Sequence, residues 1–327
     1  MKKKCPRARW RRRALAGVLA LLGGASGLQA DYQQAIIYYG RGMYDKAIQE
    51  IKPDVEANVN WEPGHRILGL CYFQTKQYGP AIHSLTRAVQ LKSPEFSTYL
   101  SLAYAYSLTN QAAKVPGVLS EGERTVIKEK ISADQRYELS HLRGAAHFQQ
   151  KQYHEAIRDL TEALRLRSND FADVSQLGYA YYYTRRFEEA IATLTKAAAL
   201  KPGDTTVPAV LADCYQKRGA AALKDKQYAK AVEDLSKALT YNPKDGSTHY
   251  NLGMAQLFLS RLDDAERALL RAAELLPGQA DPYQQLGYVY EKKKQYPKAL
   301  DAYKKAYDVS KSPELKASID RVTQAGK

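Results

Sequence analysis

Histidine, cysteine and carboxylate side chains are where catalysis or metal binding would begin in this chain, and their spacing decides against both. His154-Glu155-Ala156-Ile157-Arg158 starts as the zinc-protease pattern H-E-x-x-H does, but arginine stands where the second imidazole ligand must be. His141 and His147 are six residues apart, so they do not share a helix face as ligands at i and i+4 would. There is no G-x-x-x-x-G-K-[ST], no G-x-G-x-x-G after a strand and no serine in a G-x-S-x-G turn. Without a nucleophile–base pair, a phosphate cradle or a ligand set, the residues point away from an enzyme. No cofactor and no metal are expected. Cys71 and Cys214 each lie inside an apolar helical pattern, 143 residues apart, and read as buried free thiols.

The formal net charge of +14 suggests nucleic acid, but its distribution does not. Eight of the basic residues lie within residues 1–30, which hold no acid, leaving 41 bases against 35 acids in the rest. A nucleic-acid binder gathers base on one face or helix. Here Lys and Arg alternate with Glu and Asp, the pattern of a solvated surface, so no nucleic-acid partner is expected. The first 30 residues have another explanation. A basic run ending at Arg13 is followed by an apolar stretch over 14–28 and then by Gln29-Ala30. That is the order of a signal peptide with cleavage after Ala30, placing the protein outside the cytoplasm, periplasmic or secreted. Left uncut, residues 14–30 would instead anchor it to a membrane. Cys5 precedes the apolar run, which gives a lipoprotein reading no support.

The elements that fill the rest of the chain announce themselves by repetition. Leu177-Gly178 leads to Tyr181, Phe187, Ala190, Leu194, Ala197 and Pro202; Leu68-Gly69, Leu252-Gly253 and Leu286-Gly287 open similar series. From Gly144 to Gly178 and from Gly253 to Gly287 is 34 residues each. Leu177, Gly178 and Tyr181 share one helix face, and Phe187, Ala190, Ile191, Leu194 and Ala197 form a second amphipathic stripe. Only a short polar turn separates the two, so the helices must be an antiparallel pair. The glycine lets a neighbouring helix approach closely, and Pro202 ends the second helix.

On these anchors the chain resembles the tetratricopeptide-repeat family, over nearly all of residues 31–313. The resemblance implies an all-α fold, an α-solenoid wound as a right-handed superhelix, whose concave face binds other proteins. About eight helix-turn-helix repeats are expected near 28–61, 62–95, 96–129, 137–170, 171–204, 212–245, 246–279 and 280–313. The first is degenerate, and Pro116-Gly117 with Glu121-Gly122 break the second-helix pattern of the third. Gly178 to Gly219 spans 41 residues, and the register also reaches Gly144 late. Seven added residues are roughly two helical turns, so long first helices are expected near 133–150 and 207–225. Ser132 with Gln135 supplies a capping box for one, and Pro208 suits the first turn of the other. Residues 314–327 form a capping helix and tail, with Ser312 as N-cap.

The 25 tyrosines favour half-buried, half-wet sites, as in a groove. With the first helix of each pair facing the concavity, offsets of −3, +1, +4 and +5 from the repeat glycine lie on that face. They bring there Arg66, Leu70, Phe73, Leu100, Tyr104, Phe148, Ser175, Tyr179, Tyr182, Tyr183, Tyr250, Met254, Phe258 and Tyr288. Such an aromatic set is the composition of a binding hot spot. Arg66, Phe73, Tyr104, Phe148, Tyr179, Tyr182, Tyr183, Tyr250, Met254, Phe258 and Tyr288 are the candidate partner-binding residues. The reading is a non-enzymatic scaffold of the cell envelope that binds a protein or peptide segment, centred on repeats five to seven. A membrane-anchored assembly factor and a carbohydrate or envelope-polymer binder are the alternatives. No oligomeric state follows from the pattern.

Overall fold

The computed structural model describes residues 28–326, and these contain seventeen α-helices, two short 3-10 turns and no strand. The expected signal peptide lies outside the described residues apart from its last three positions, which belong to the first helix. Two compact units divide at Ser168 and Asn169. In the first, α1 (Leu28–Gly40) pairs with α2 (Tyr44–Ala57), α3 (Glu62–Gln74) with α4 (Tyr78–Gln90), α5 (Phe96–Leu108) with α6 (Val115–Thr125), and α7 (Ala133–Gln149) with α8 (Tyr153–Leu166). In the second, α9 (Phe171–Tyr183) pairs with α10 (Phe187–Leu200), α11 (Thr206–Lys224) with α12 (Tyr228–Tyr241), α13 (Gly246–Phe258) with α14 (Leu262–Leu275), and α15 (Ala280–Lys292) with α16 (Tyr296–Ser310); α17 (Pro313–Ala325) closes on α16. Consecutive pairs within each unit pack on one another, which is the α-solenoid architecture.

One lock recurs at the heart of the pairs. A Cβ placed on Gly69 would sit 2.7 Å from Leu85 Cγ, on Gly144 2.8 Å from Leu160, on Gly178 2.5 Å from Leu194, on Gly219 2.8 Å from Leu235 and on Gly253 2.6 Å from Leu269. All five leucines are fully buried. Only glycine allows the helices this separation, and the leucine fills the space left. Small neighbours complete the contact: Ala81, Ala156, Ala190, Ala231, Ala265 and Ala299 have no exposed surface.

The two stretched repeats answer as expected. α7 has 17 residues and α11 has 19, against 13 in α9. Ser132 and Gln135 form the reciprocal capping box at the start of α7, and Asp204 accepts the backbone N–H groups of Thr206 and Val207 before α11. The degenerate first repeat is a complete helix pair.

Two expectations are corrected. The third repeat does form its second helix, α6: Pro116 sits in its first turn, where no donor is lost, and Gly122 is a contact point, 2.8 Å (as a Cβ) from Tyr99. The close-approach glycine has moved to the second helix, while Ala103 stands at the usual place. At the C-terminus Ser312 precedes α17 but accepts no backbone N–H; its hydroxyl donates to the Glu314 carboxylate. α17 also buries Leu315 and Val322 against the last pair, so it is amphipathic.

Candidate functional site

Offsets on a helix decide which residues share a face, and packing decides how much of each remains open. Among the candidate residues Tyr183, Phe258 and Tyr288 are exposed, at 54%, 52% and 41%. Arg66, Phe73, Tyr104, Phe148, Tyr179, Tyr182, Tyr250 and Met254 are half-buried. Three positions that the offsets turned inward are in the core instead: Leu70, Leu100 and Ser175 are buried. Each sits toward the adjoining helix of its stack, so one face of a solenoid helix serves both groove and core.

In the first unit the candidates are knit into the helix stack. Phe73 lies 5.9 Å from Tyr78 and Phe148 lies 5.6 Å from Tyr153, each ring leaning on the first residue of its own second helix. These contacts close the hairpin. Tyr104 donates its hydroxyl to the buried Glu138, which Arg167 also reaches at 3.4 Å while its guanidinium covers the Tyr137 ring at 3.8 Å. Arg66 is tied to Glu62 at 3.2 Å and reaches the Tyr32 hydroxyl at 3.5 Å.

The second unit holds the open set. Tyr182 follows the hairpin pattern, 6.3 Å from Phe187, and donates its hydroxyl to the Asp213 carboxylate on α11. Burial first, then that carboxylate, raises the Tyr182 hydroxyl well above the usual phenol range. Tyr183 meets Tyr182 edge-on at 5.2 Å yet keeps half its surface in solvent. Phe258 stacks on Tyr228 at 4.8 Å with 18° between the planes. Tyr179 and Tyr250 are likewise raised, mainly by burial and secondarily by Asp204 and Asp281. Tyr179, Tyr182 and Tyr250 are therefore neutral donors at physiological pH. A small open cleft lies between α11, α12 and the start of α13, lined by Ala209, Ala212, Asp213, Gln216, Asn242 and Asp245 among others. Sequence reasoning centred the site on repeats five to seven but named no residue of the sixth, Asp213 included. Its signal was a carboxylate six residues before the lock glycine Gly219, where the fifth and seventh repeats have Ala172 and Ser247.

The two cysteines of the described residues are inert. Cys71 and Cys214 are buried free thiols, both pushed up to about 12 chiefly by burial. No described helix is long and apolar enough to cross a membrane.

Models of the tetratricopeptide repeat match residues 137–170, 175–204, 222–287 and 280–313. Over those residues the chain is similar to the tetratricopeptide repeat. Similar curated proteins are anaphase-promoting complex subunit 3 of Schizosaccharomyces pombe, 32% identical over 101 residues, and the Hsp70/Hsp90 co-chaperone CNS1 of Saccharomyces cerevisiae, 32% identical over 87. Those matches cover 31% and 27% of this chain, and 15% and 23% of the two relatives. The chain thus spans less than a quarter of their length. Among solved structures, the TPR2AB domain of yeast Sti1 in its pHSP90 complex is 14% identical, with 81% of this chain and 96% of that one covered and a TM-score of 0.46.

Proposed function

We propose that this protein is a non-enzymatic scaffold that binds a segment of another protein along the inner face of its second unit, and that it works in the cell envelope. The observation that carries the reading is the exposure of Tyr183 and Phe258 at equivalent inner-face positions of the fifth and seventh repeats, with Tyr288 exposed one turn earlier on the first helix of the eighth. Half-buried Tyr179, Tyr250 and Met254 adjoin them on the same helices. Large rings left in water beside a packed stack gain most by being covered, and aromatic rings dominate binding hot spots. The CNS1 and Sti1 likenesses, a co-chaperone and a domain in a pHSP90 complex, agree with a role in binding polypeptide. The envelope part rests on the order of basic run, apolar run and Ala30.

The test uses Tyr183→Ala with Phe258→Ala, made together. Both side chains keep about half their surface in solvent, at 54% and 52%, so the fold should melt close to wild type. Capture of the native partner from an envelope fraction should weaken by roughly 2–4 kcal/mol, the hot-spot range. Undiminished capture would remove the groove from consideration. N-terminal sequencing of the native protein should begin at Asp31; an intact Met1 in a membrane pellet would favour the anchored alternative.

A further inference from the structure

The four hairpins of the second unit each hold one residue in left-handed backbone: Arg185, Lys226, Ser260 and Lys294, with φ of 61°, 60°, 60° and 57°. A side chain there crowds its Cβ against the backbone, a strain that glycine avoids. The first hairpin of the chain takes the unstrained course, with Gly42 at φ 74°. Three of the four turns in the second unit carry a long cation instead. Strain of this kind, retained where glycine would relieve it, directs attention to what the side chain does.

Alternation of helix direction brings these turns to one edge. α9, α11, α13 and α15 run parallel, so their C-terminal ends and the following turns form a single rim beside the inner face. Residues 183–186, 224–227, 258–261 and 292–295 hold eight Lys or Arg and one acid, Asp225. The opposite edge, residues 169–170, 201–205, 242–245 and 276–279, holds two bases and three acids. Some rim cations are engaged: Arg186 with Glu189 at 2.7 Å, Lys293 with Asp263 at 2.7 Å, and Lys292 over the Tyr288 ring. Arg185, Lys224, Lys226, Arg261 and Lys294 are exposed and have no ion-pair partner among the described residues. The acids that follow on the second helices are taken, Glu189 and Asp263 as above and Asp264 by Arg267, and Asp225 alone offsets the rim's charge. Along the rim, the last inner-face position of successive first helices reads Tyr183, Lys224, Phe258, Lys292, all exposed.

We propose that this rim docks an acidic segment of the partner polypeptide, one that alternates carboxylates with apolar side chains. The proposal rests on the reading that the second unit binds polypeptide, and it adds the chemistry of what is bound. Alternation of ring and cation sets the occupant. Packed helices lie about 10 Å apart, and an extended chain advances about 3.3 Å per residue. Three residues therefore separate one rim position from the next, so an acid, an apolar residue and an acid at i, i+3 and i+6 fit in turn. A duplex or a membrane surface presents anions continuously and has nothing apolar for Tyr183 and Phe258 in that alternation.

The experiment is fluorescence anisotropy of the full chain with a labelled synthetic peptide of about twelve residues, Glu and Leu alternating every third position in a Ser background. The expected result is saturable binding that weakens with added salt. It should weaken about ten-fold when Gln replaces Glu in the peptide, and about ten-fold in Lys226→Glu with Arg261→Glu. Lys226→Gly should weaken binding while raising the melting temperature, which separates lost charge from lost fold. Equal binding of the Gln peptide, unchanged by charge reversal, overturns the acidic partner and leaves the polypeptide groove standing. No binding of either peptide, while Tyr183→Ala with Phe258→Ala still abolishes partner capture, overturns it in the same way. If that double variant also captures normally, the groove reading falls with it. Binding of a duplex oligonucleotide or of phosphatidylglycerol vesicles as tightly as the Glu peptide also overturns it.

Discussion

Gly178→Ala isolates the contact on which the helix pairs depend. The added Cβ would lie 2.5 Å from Leu194 Cδ2, 2.6 Å from its Cγ and 3.4 Å from its backbone nitrogen. Leu194 is fully buried, so it has no solvent to move into. Overpacking of this kind costs about 1–3 kcal/mol, while alanine gains about 1 kcal/mol over glycine inside a helix. Gly117→Ala is the control: it too is helical, but nothing lies within 4 Å of its added Cβ, so only the gain remains. The difference between the two variants, about 1–3 kcal/mol in favour of Gly117→Ala, reads the clash alone. Urea unfolding followed by circular dichroism measures both. Leu194→Ala, which leaves a cavity costing about 2–5 kcal/mol by itself, should combine with Gly178→Ala less than additively, since the clash is then gone. Equal stability of Gly178→Ala and Gly117→Ala, or full additivity with Leu194→Ala, would refute the lock.

Three further outcomes are expected. Asp234 is buried and accepts both Arg218 nitrogens at 2.8 and 2.6 Å, so Asp234→Ala alone should cost about 3 kcal/mol by stranding the guanidinium, and Arg218→Leu added to it should recover most of that in urea melts. Arg321 holds Glu291 at 3.0 and 2.9 Å and lowers its pKa, so the folded carboxylate is lowered relative to the unfolded one. The stability that wild type has over Arg321→Ala should therefore be complete above the ordinary carboxylate range and vanish as pH falls through the lowered folded value, measured as a difference in melting temperature. Cys71 and Cys214 should resist alkylation at pH 8 in the native protein and react once it is unfolded, because burial holds both near 12.

Much of this fold is legible because its contacts are local and repeat. A glycine after leucine, with another leucine sixteen residues on, is a helix pair written in sequence, and Gly178 and Leu194 meet as that spacing requires. The third repeat was harder for a physical reason. Proline and glycine report what a residue cannot do inside a helix, but Pro116 stands in a first turn and Gly122 at a contact with Phe96 and Tyr99. The site divides in the same manner. Helix offsets identify the face, and Tyr183 and Phe258 project from it. They do not foretell how much of Phe73, Phe148 and Tyr182 is taken by the hairpin, although the signal was present: each is followed five residues later by Tyr78, Tyr153 or Phe187. The basic rim was hidden in the overall charge balance, because only the topology gathers residues some 34 apart onto one edge.

The two lengthened repeats share a second departure from the pattern. Elsewhere the residue before the lock glycine is Leu68, Leu177, Leu252 or Leu286, and the residue before its partner is Ser84, Thr193, Ala268 or Ala302. In the fourth and sixth repeats these become Arg143 with Asp159 and Arg218 with Asp234, paired at 3.1 and 2.6 Å. Each arginine also reaches back to the second helix of the preceding pair, Arg143 to Glu123 at 2.5 Å and Arg218 to Glu188 at 3.9 Å. A buried ion pair adds little net stability over well-packed apolar residues, but its geometry admits few alternatives. An inserted segment removes the regular spacing that otherwise sets how one pair follows another. Where that spacing is lost, an arginine spanning three helices fixes the same relation by direction and charge, and the leucine of the unstretched repeats, which packs acceptably in several orientations, would not.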